Sequence, residues 1–177
     1  MRALVAATVL LLTTGSPAYA QEQRAAEPCS GQIHPNPGFE RGTTGWTAGP
    51  RIVVLGDAHN GRAYASLAGL DVTHTDSLRT TVTVPANCNL TVKFWVRTTA
   101  TDTSVTDSMN VSFVVTGVPP KTYFALRSDG SPDWYQYSGS TGTAATERSA
   151  TVIFYASETA GNGVAAFDVD DVRFTLS

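Results

Sequence analysis

An all-β fold, an antiparallel β-sandwich, is what this sequence predicts, and three observations predict it. Apolar and polar residues alternate at period two in segment after segment, helical periodicity is almost absent, and turn signals separate the segments at short intervals. The first strands are expected over 51–55 and 63–67, joined through the Asn60-Gly61 turn. Residues 77–84 place Leu78, Thr80, Val82 and Val84 on one face, and Pro85-Ala86-Asn87 ends them. Residues 90–97 show the pattern most clearly. Leu90, Val92, Phe94 and Val96 share one face, while Thr91, Lys93, Trp95 and Arg97 share the other.

Met109, Val111, Phe113 and Val115 repeat the signal, and Pro119-Pro120 closes that strand. Further strands are expected over 122–127, 134–137, 150–156 and 164–176, with turns at Asp129–Pro132 and Gly161-Asn162-Gly163. No internal repeat, linker or second domain is visible. The last strand carries an anomaly. Its apolar face steps from Phe167 and Val169 to Val172, Phe174 and Leu176, one residue out of phase, so a β-bulge is expected at Asp170-Asp171. Carboxylates within a strand must face water, pair with a cation or hold a metal.

The chain opens with Arg2, an apolar run and Ala18-Tyr19-Ala20, which reads as a secretory signal peptide over 1–20. Residues 21–28 read as a loose tail and 29–177 as one domain of ordinary size. Without Arg2, 11 basic residues face 15 acidic ones, a net charge of −4. No basic cluster suggests nucleic acid or an anionic membrane, and no later apolar run reaches membrane-spanning length. An exported chain with two cysteines predicts a Cys29–Cys88 disulfide, closing a loop of about 60 residues worth about 4 kcal/mol.

Several motifs carry a resemblance. Asn36-Pro37-Gly38-Phe39-Glu40-Arg41-Gly42 followed by Gly45-Trp46, then His59–Tyr64, Thr83-Val84-Pro85, Leu90–Arg97, Asp133-Trp134 with Tyr137-Ser138, and Val169–Val172 stand in order along the chain. Together they resemble the carbohydrate-binding modules of families four, nine and twenty-two, β-jelly-rolls close in architecture to galactose-binding-like domains. The resemblance covers nearly all of the expected domain. It implies jelly-roll topology and one structural calcium. The implied ligands are Glu40, a carbonyl near Thr43, a carbonyl near Arg62, and Asp170, with Asp171 as the alternative and Asp168 facing solvent. Calcium takes six to eight hard oxygens and accepts carbonyls beside carboxylates.

Catalysis is not advertised. There is no Gly-x-Ser-x-Gly elbow, and His34, His59 and His74 have no zinc spacing and read as surface or turn residues. Asp133, Glu147 and Glu158 fall in expected loops without a visible partner, so the chain is read as a non-enzyme. A sugar site needs an aromatic face and planar polar groups. The outward side of residues 91–97 offers Lys93, Trp95 and Arg97; Tyr155 is a candidate to share an outward face with Ile153, and Tyr123 and Tyr64 to do the same on their strands. Trp46 and Trp134 read as packing residues, and Tyr135 and Tyr137 as a rim. Asn89 and Asn110 head two glycosylation sequons.

The expectation is a secreted, monomeric, non-catalytic domain that binds a polysaccharide or oligosaccharide. The alternative is an extracellular protein-interaction or adhesion domain, which an apolar outward patch around Trp95, Ile153 and Tyr155 would favour. An enzyme would instead need titratable residues gathered in one cleft.

Overall fold

The computed structural model describes residues 29–101, 106–128 and 131–177. The expected signal peptide and tail lie outside them. Among the described residues, eleven strands form two antiparallel sheets packed face to face, a β-sandwich of jelly-roll type. The six-stranded sheet contains β1 (Gly31–Gln32), β3 (Val53–Leu55), β4 (Ala63–Ala68), β6 (Leu90–Ala100), β9 (Tyr135–Ser140) and β11 (Ala165–Leu176). The five-stranded sheet contains β2 (Thr47–Ala48), β5 (His74–Val84), β7 (Ser108–Val115), β8 (Lys121–Arg127) and β10 (Arg148–Glu158). Every expected strand forms. The two-residue β1 and β2 are too short to leave a period-two signal.

Alternation decides what is buried. Val92, Phe94 and Val96 of β6 and Ala150, Val152 and Phe154 of β10 are all buried in one core. The Phe94 and Phe154 rings cross edge to face at 5.1 Å. At one end the Asn36–Trp46 turn packs in. Trp46 lies 5.1 Å from Phe39 and 6.0 Å from Phe174, and its indole N–H donates to the Asn36 carbonyl at 2.9 Å. Asn36 itself is buried and knits the turn by donating to the carbonyls of Gly42 and Thr44 and accepting from Arg41 N. The Cys29–Cys88 disulfide forms and anchors this N-terminal segment.

The bulge expected in the last strand is present, and its cause is topological. Asp170 stands opposite Trp95 but Arg173 stands opposite Lys93, so one extra residue lies in β11. On its other edge β11 pairs first with β4 through Ala166–Val169 and then with β1 through Thr175–Leu176. Between these partners Val172 N donates to Pro37 O at 2.8 Å. Asp170 and Asp171 therefore sit where the strand exchanges one neighbour for another.

Candidate functional site

The outer surface of the six-stranded sheet gathers most of the expected site residues, but it is covered. The loop from Gly56 to Arg62 folds back over it. His59 lies on Trp95, ring planes 18° apart and centroids 4.0 Å apart, so the tryptophan face is occupied. Arg97 is held by Asp168 and Asp57, each at 2.9 Å, and its guanidinium lies 4.6 Å from the Trp134 ring and 5.6 Å from Tyr64. Trp95, Arg97 and Tyr64 thus satisfy one another and their neighbours. Of the outward trio only Lys93 is exposed. Asp168, expected in solvent, is buried by its pairing with Arg97 across the β6–β11 ladder.

The acidic residues of the bulge form the second feature. Asp170 is wholly buried, and its carboxylate accepts from Asn60 N at 3.0 Å and Asp171 N at 2.6 Å. Asp171 accepts from His59 Nδ1 at 2.8 Å. His59, Asp170 and Asp171 offer ligand atoms within 4.8 Å of one another, the one such group among the described residues. Glu40 sits on the far side of the same loop, accepting from Arg62 N at 2.7 Å and Ala63 N at 2.8 Å. Those two amides hold its carboxyl below the usual range. Gly61, at φ 77°, passes between, where a Cβ would collide with the Glu40 carboxylate.

Of the other expected ligands, the Thr43 carbonyl accepts from Trp46 N and the Arg62 carbonyl from Gly56 N. Each retains a second lone pair. Phe39 at φ 58° and Asp171 at φ 45° are left-handed non-glycine residues flanking the site, strain of the kind that clusters at functional positions. Burial pushes the Asp170 carboxyl up to about 6, against hydrogen bonds from Asn60 and Asp171 that pull it down. A carboxyl with a folded pKa above its unfolded one makes the fold less stable as pH rises across that interval. A divalent cation would remove that penalty. Hard carboxylate oxygens suit calcium, while the His59 nitrogen would suit zinc better.

The five-stranded sheet presents the contrasting outer face. Tyr155 lies on β10, the middle strand, and is 44% exposed. Its cross-strand partners are Ser77 on β5 and Asn110 on β7. Two residues along, Ile153 stands opposite Arg79 and Ser112. Tyr123 does not join this face. It is the extra residue of a bulge on β8, between the Val111–Phe124 and Ser112–Thr122 pairs, and it turns against Phe113 with centroids 4.3 Å apart. Its hydroxyl donates to Ser140 O in the opposite sheet. The six candidate ligand-binding residues are therefore divided among two faces and an edge, and among the described residues no patch joins Trp95 to Ile153 and Tyr155.

No protein-family model matches the sequence, and no curated protein matches it significantly. Solved structures do. The chain is similar to the module TmCBM61, solved with β-1,4-galactotriose, at 20% identity and a TM-score of 0.58, over 84% of this chain and 99% of that one. It is similar to a family 16 carbohydrate-binding module at 19% identity and 0.56, over 82% and 99%. The fold is that of a carbohydrate-binding module. A cyclase from Fischerella sp. TAU shares it at 13% identity and 0.56, over 84% and 98%, so the fold also hosts catalysis.

On this carbohydrate-binding-module fold two further buried titratable groups are held by neighbouring backbone groups and rings. Glu158, expected in a loop without partners, is fully buried and accepts from the amides of Leu70, Asp71 and Ala165. His34, expected on the surface, is buried against Trp46 and Phe174. Burial lowers its pKa, and it accepts from Asn36 N while donating to Gly45 O, the pattern of a neutral ring. Asp57, which helps cover the six-stranded face, escaped sequence reading, and His59 was read only as a surface or turn residue. Their loop carries no periodicity, and only the Asn60-Gly61 turn hinted that it folds back.

Proposed function

We propose that this chain is a secreted, monomeric, non-catalytic domain that binds a polysaccharide or oligosaccharide on the outer face of the five-stranded sheet. The observation that carries the reading is Tyr155. An exposed tyrosine at the centre of a sheet, with a serine and an asparagine as cross-strand partners, combines a stacking surface with groups that bond hydroxyls. The shared fold of two carbohydrate-binding modules supports it. The disulfide suits an oxidising, extracellular setting. No helix among the described residues is long and apolar enough to cross a membrane.

Native affinity electrophoresis through xylan, β-glucan, mannan, pectin and galactan tests this. One polymer should retard the protein, and Tyr155→Ala should weaken that affinity about tenfold or more with melting unchanged. Trp95→Ala should keep the affinity and lose stability, because His59 packs on that ring. Retardation lost in Trp95→Ala but kept in Tyr155→Ala would move the site to the other face.

The proposal includes a structural calcium beside the bulge, drawing on Asp170 and Glu40 with carbonyls of the intervening segments. Asp171 would keep His59 as its partner. The ion's contribution would be to stability, joining the first turn of the domain to its last strand. At a hundredfold excess over the dissociation constant this is worth about 3 kcal/mol. EDTA should lower the melting temperature, calcium should restore it more effectively than zinc, and Asp170→Ala should abolish the response. An EDTA-insensitive melt removes the ion from the account.

A further inference from the structure

The sandwich is open along one flank. β8 ends one sheet and β9 ends the other. Near Ser140 the two edges are stitched, by the Tyr123 hydroxyl on Ser140 O at 3.1 Å and by the Tyr137 ring 5.2 Å from Phe124. Towards Arg127 and Tyr135 they part and leave a cleft of about 470 Å³. Val96 and Thr98 of β6, both buried, lie beneath it. Tyr135 and Tyr137 line one side, Leu126 and Arg127 the other. The volume falls in the range of small-ligand sites, about 300–1,000 Å³.

Its chemistry is specific. Tyr135 is 52% exposed, so its ring is available for stacking. Among the described residues, Arg127 is the only charged one lining the cleft, and no ion pair engages it. A guanidinium fork matches a carboxylate through two parallel N–H donors, whereas a neutral hydroxyl takes only one. We propose that this cleft binds an anionic sugar unit, a hexuronate, with its carboxylate on Arg127 and its ring against Tyr135. The proposal rests on the reading that the chain binds glycans, and adds a second site with its own sugar class, separate from Tyr155.

Titration calorimetry with trigalacturonate and with its methyl ester tests it. The acid should bind and the ester at least about tenfold more weakly. Arg127→Gln and Tyr135→Ala should each weaken the acid by a similar factor, with melting unchanged since both side chains are exposed. Tyr155→Ala should leave uronate binding intact. Equal affinity for acid and ester, an Arg127→Gln variant equal to the parent, or no binding of trigalacturonate overturns the proposal. A sulfated galactose oligosaccharide bound as tightly as the uronate overturns the carboxylate assignment. Neutral-polymer retention lost in Tyr155→Ala while uronate binding is absent leaves the main reading standing and this one fallen. The reverse result separates them the other way.

Discussion

Removing the Cys29–Cys88 bridge is expected to destabilise the protein by about 4 kcal/mol, roughly 10 °C in melting temperature. The bridge joins residues 59 apart in sequence, so it removes much of the unfolded chain's freedom. Its native-state role is local and specific. Cys88 is fully buried just ahead of β6, and its neighbour Asn89 exchanges two backbone hydrogen bonds with Ser177 at 2.8 and 3.0 Å. The bridge thus holds the segment leading into β1 beside the end of β11. Cys29→Ala with Cys88→Ala avoids a stranded thiol and a buried hydroxyl. Urea denaturation of this double variant against the parent measures the effect. A difference below about 1 kcal/mol would mean that β1 and the Asn36–Trp46 turn hold without a covalent anchor.

Glu158→Ala is expected to cost about 3–5 kcal/mol. The carboxylate is wholly buried and organises one end of the sandwich by accepting from Leu70 N at 2.8 Å, Asp71 N at 2.9 Å and Ala165 N at 3.2 Å. His74 Nδ1 lies 3.5 Å away. Truncation leaves three amides without an acceptor and a cavity where the side chain stood. Asp71, at φ 51°, depends on that anchoring to hold its left-handed conformation. Glu158→Gln should be milder but still destabilising, because its NH₂ would face N–H donors. Thermal melts rank the variants, and hydrogen exchange at Leu70, Asp71 and Ala165 locates the loss. Unchanged protection at those amides would refute the anchoring role.

Both predictions depend on contacts between residues far apart in the chain, and this separates what could be read early from what could not. Strand positions were legible because period two is a local property, and burial of Leu90, Val92, Phe94 and Val96 follows from it directly. The bulge was legible too, since an apolar face cannot change phase without an extra residue. The disulfide required only two cysteines and the expectation of export. Glu158 and Asp168 were misread because burial of a charge depends on partners brought by other elements, here the amides near residue 70 and the Arg97 guanidinium.

The candidate site divides the same way. By itself the sequence determined that this is an all-β sandwich, which side chains of the regular strands alternate outward, though not Tyr123 at its bulge, and that two aspartates meet at a phase slip. Period and turn chemistry act over a few residues, so they survive without knowledge of the fold. Only the tertiary structure decided which outward side chains stay open. His59 reaches Trp95 on β6 from the loop between β3 and β4, across β11, and closes the face that the alternation had exposed. Tyr155 stays 44% exposed on the middle strand of the other sheet, and among the described residues no aromatic ring stacks on it. Whether an aromatic is a platform or a packing residue is set by what the rest of the chain lays on it, and sequence pattern carries no record of that.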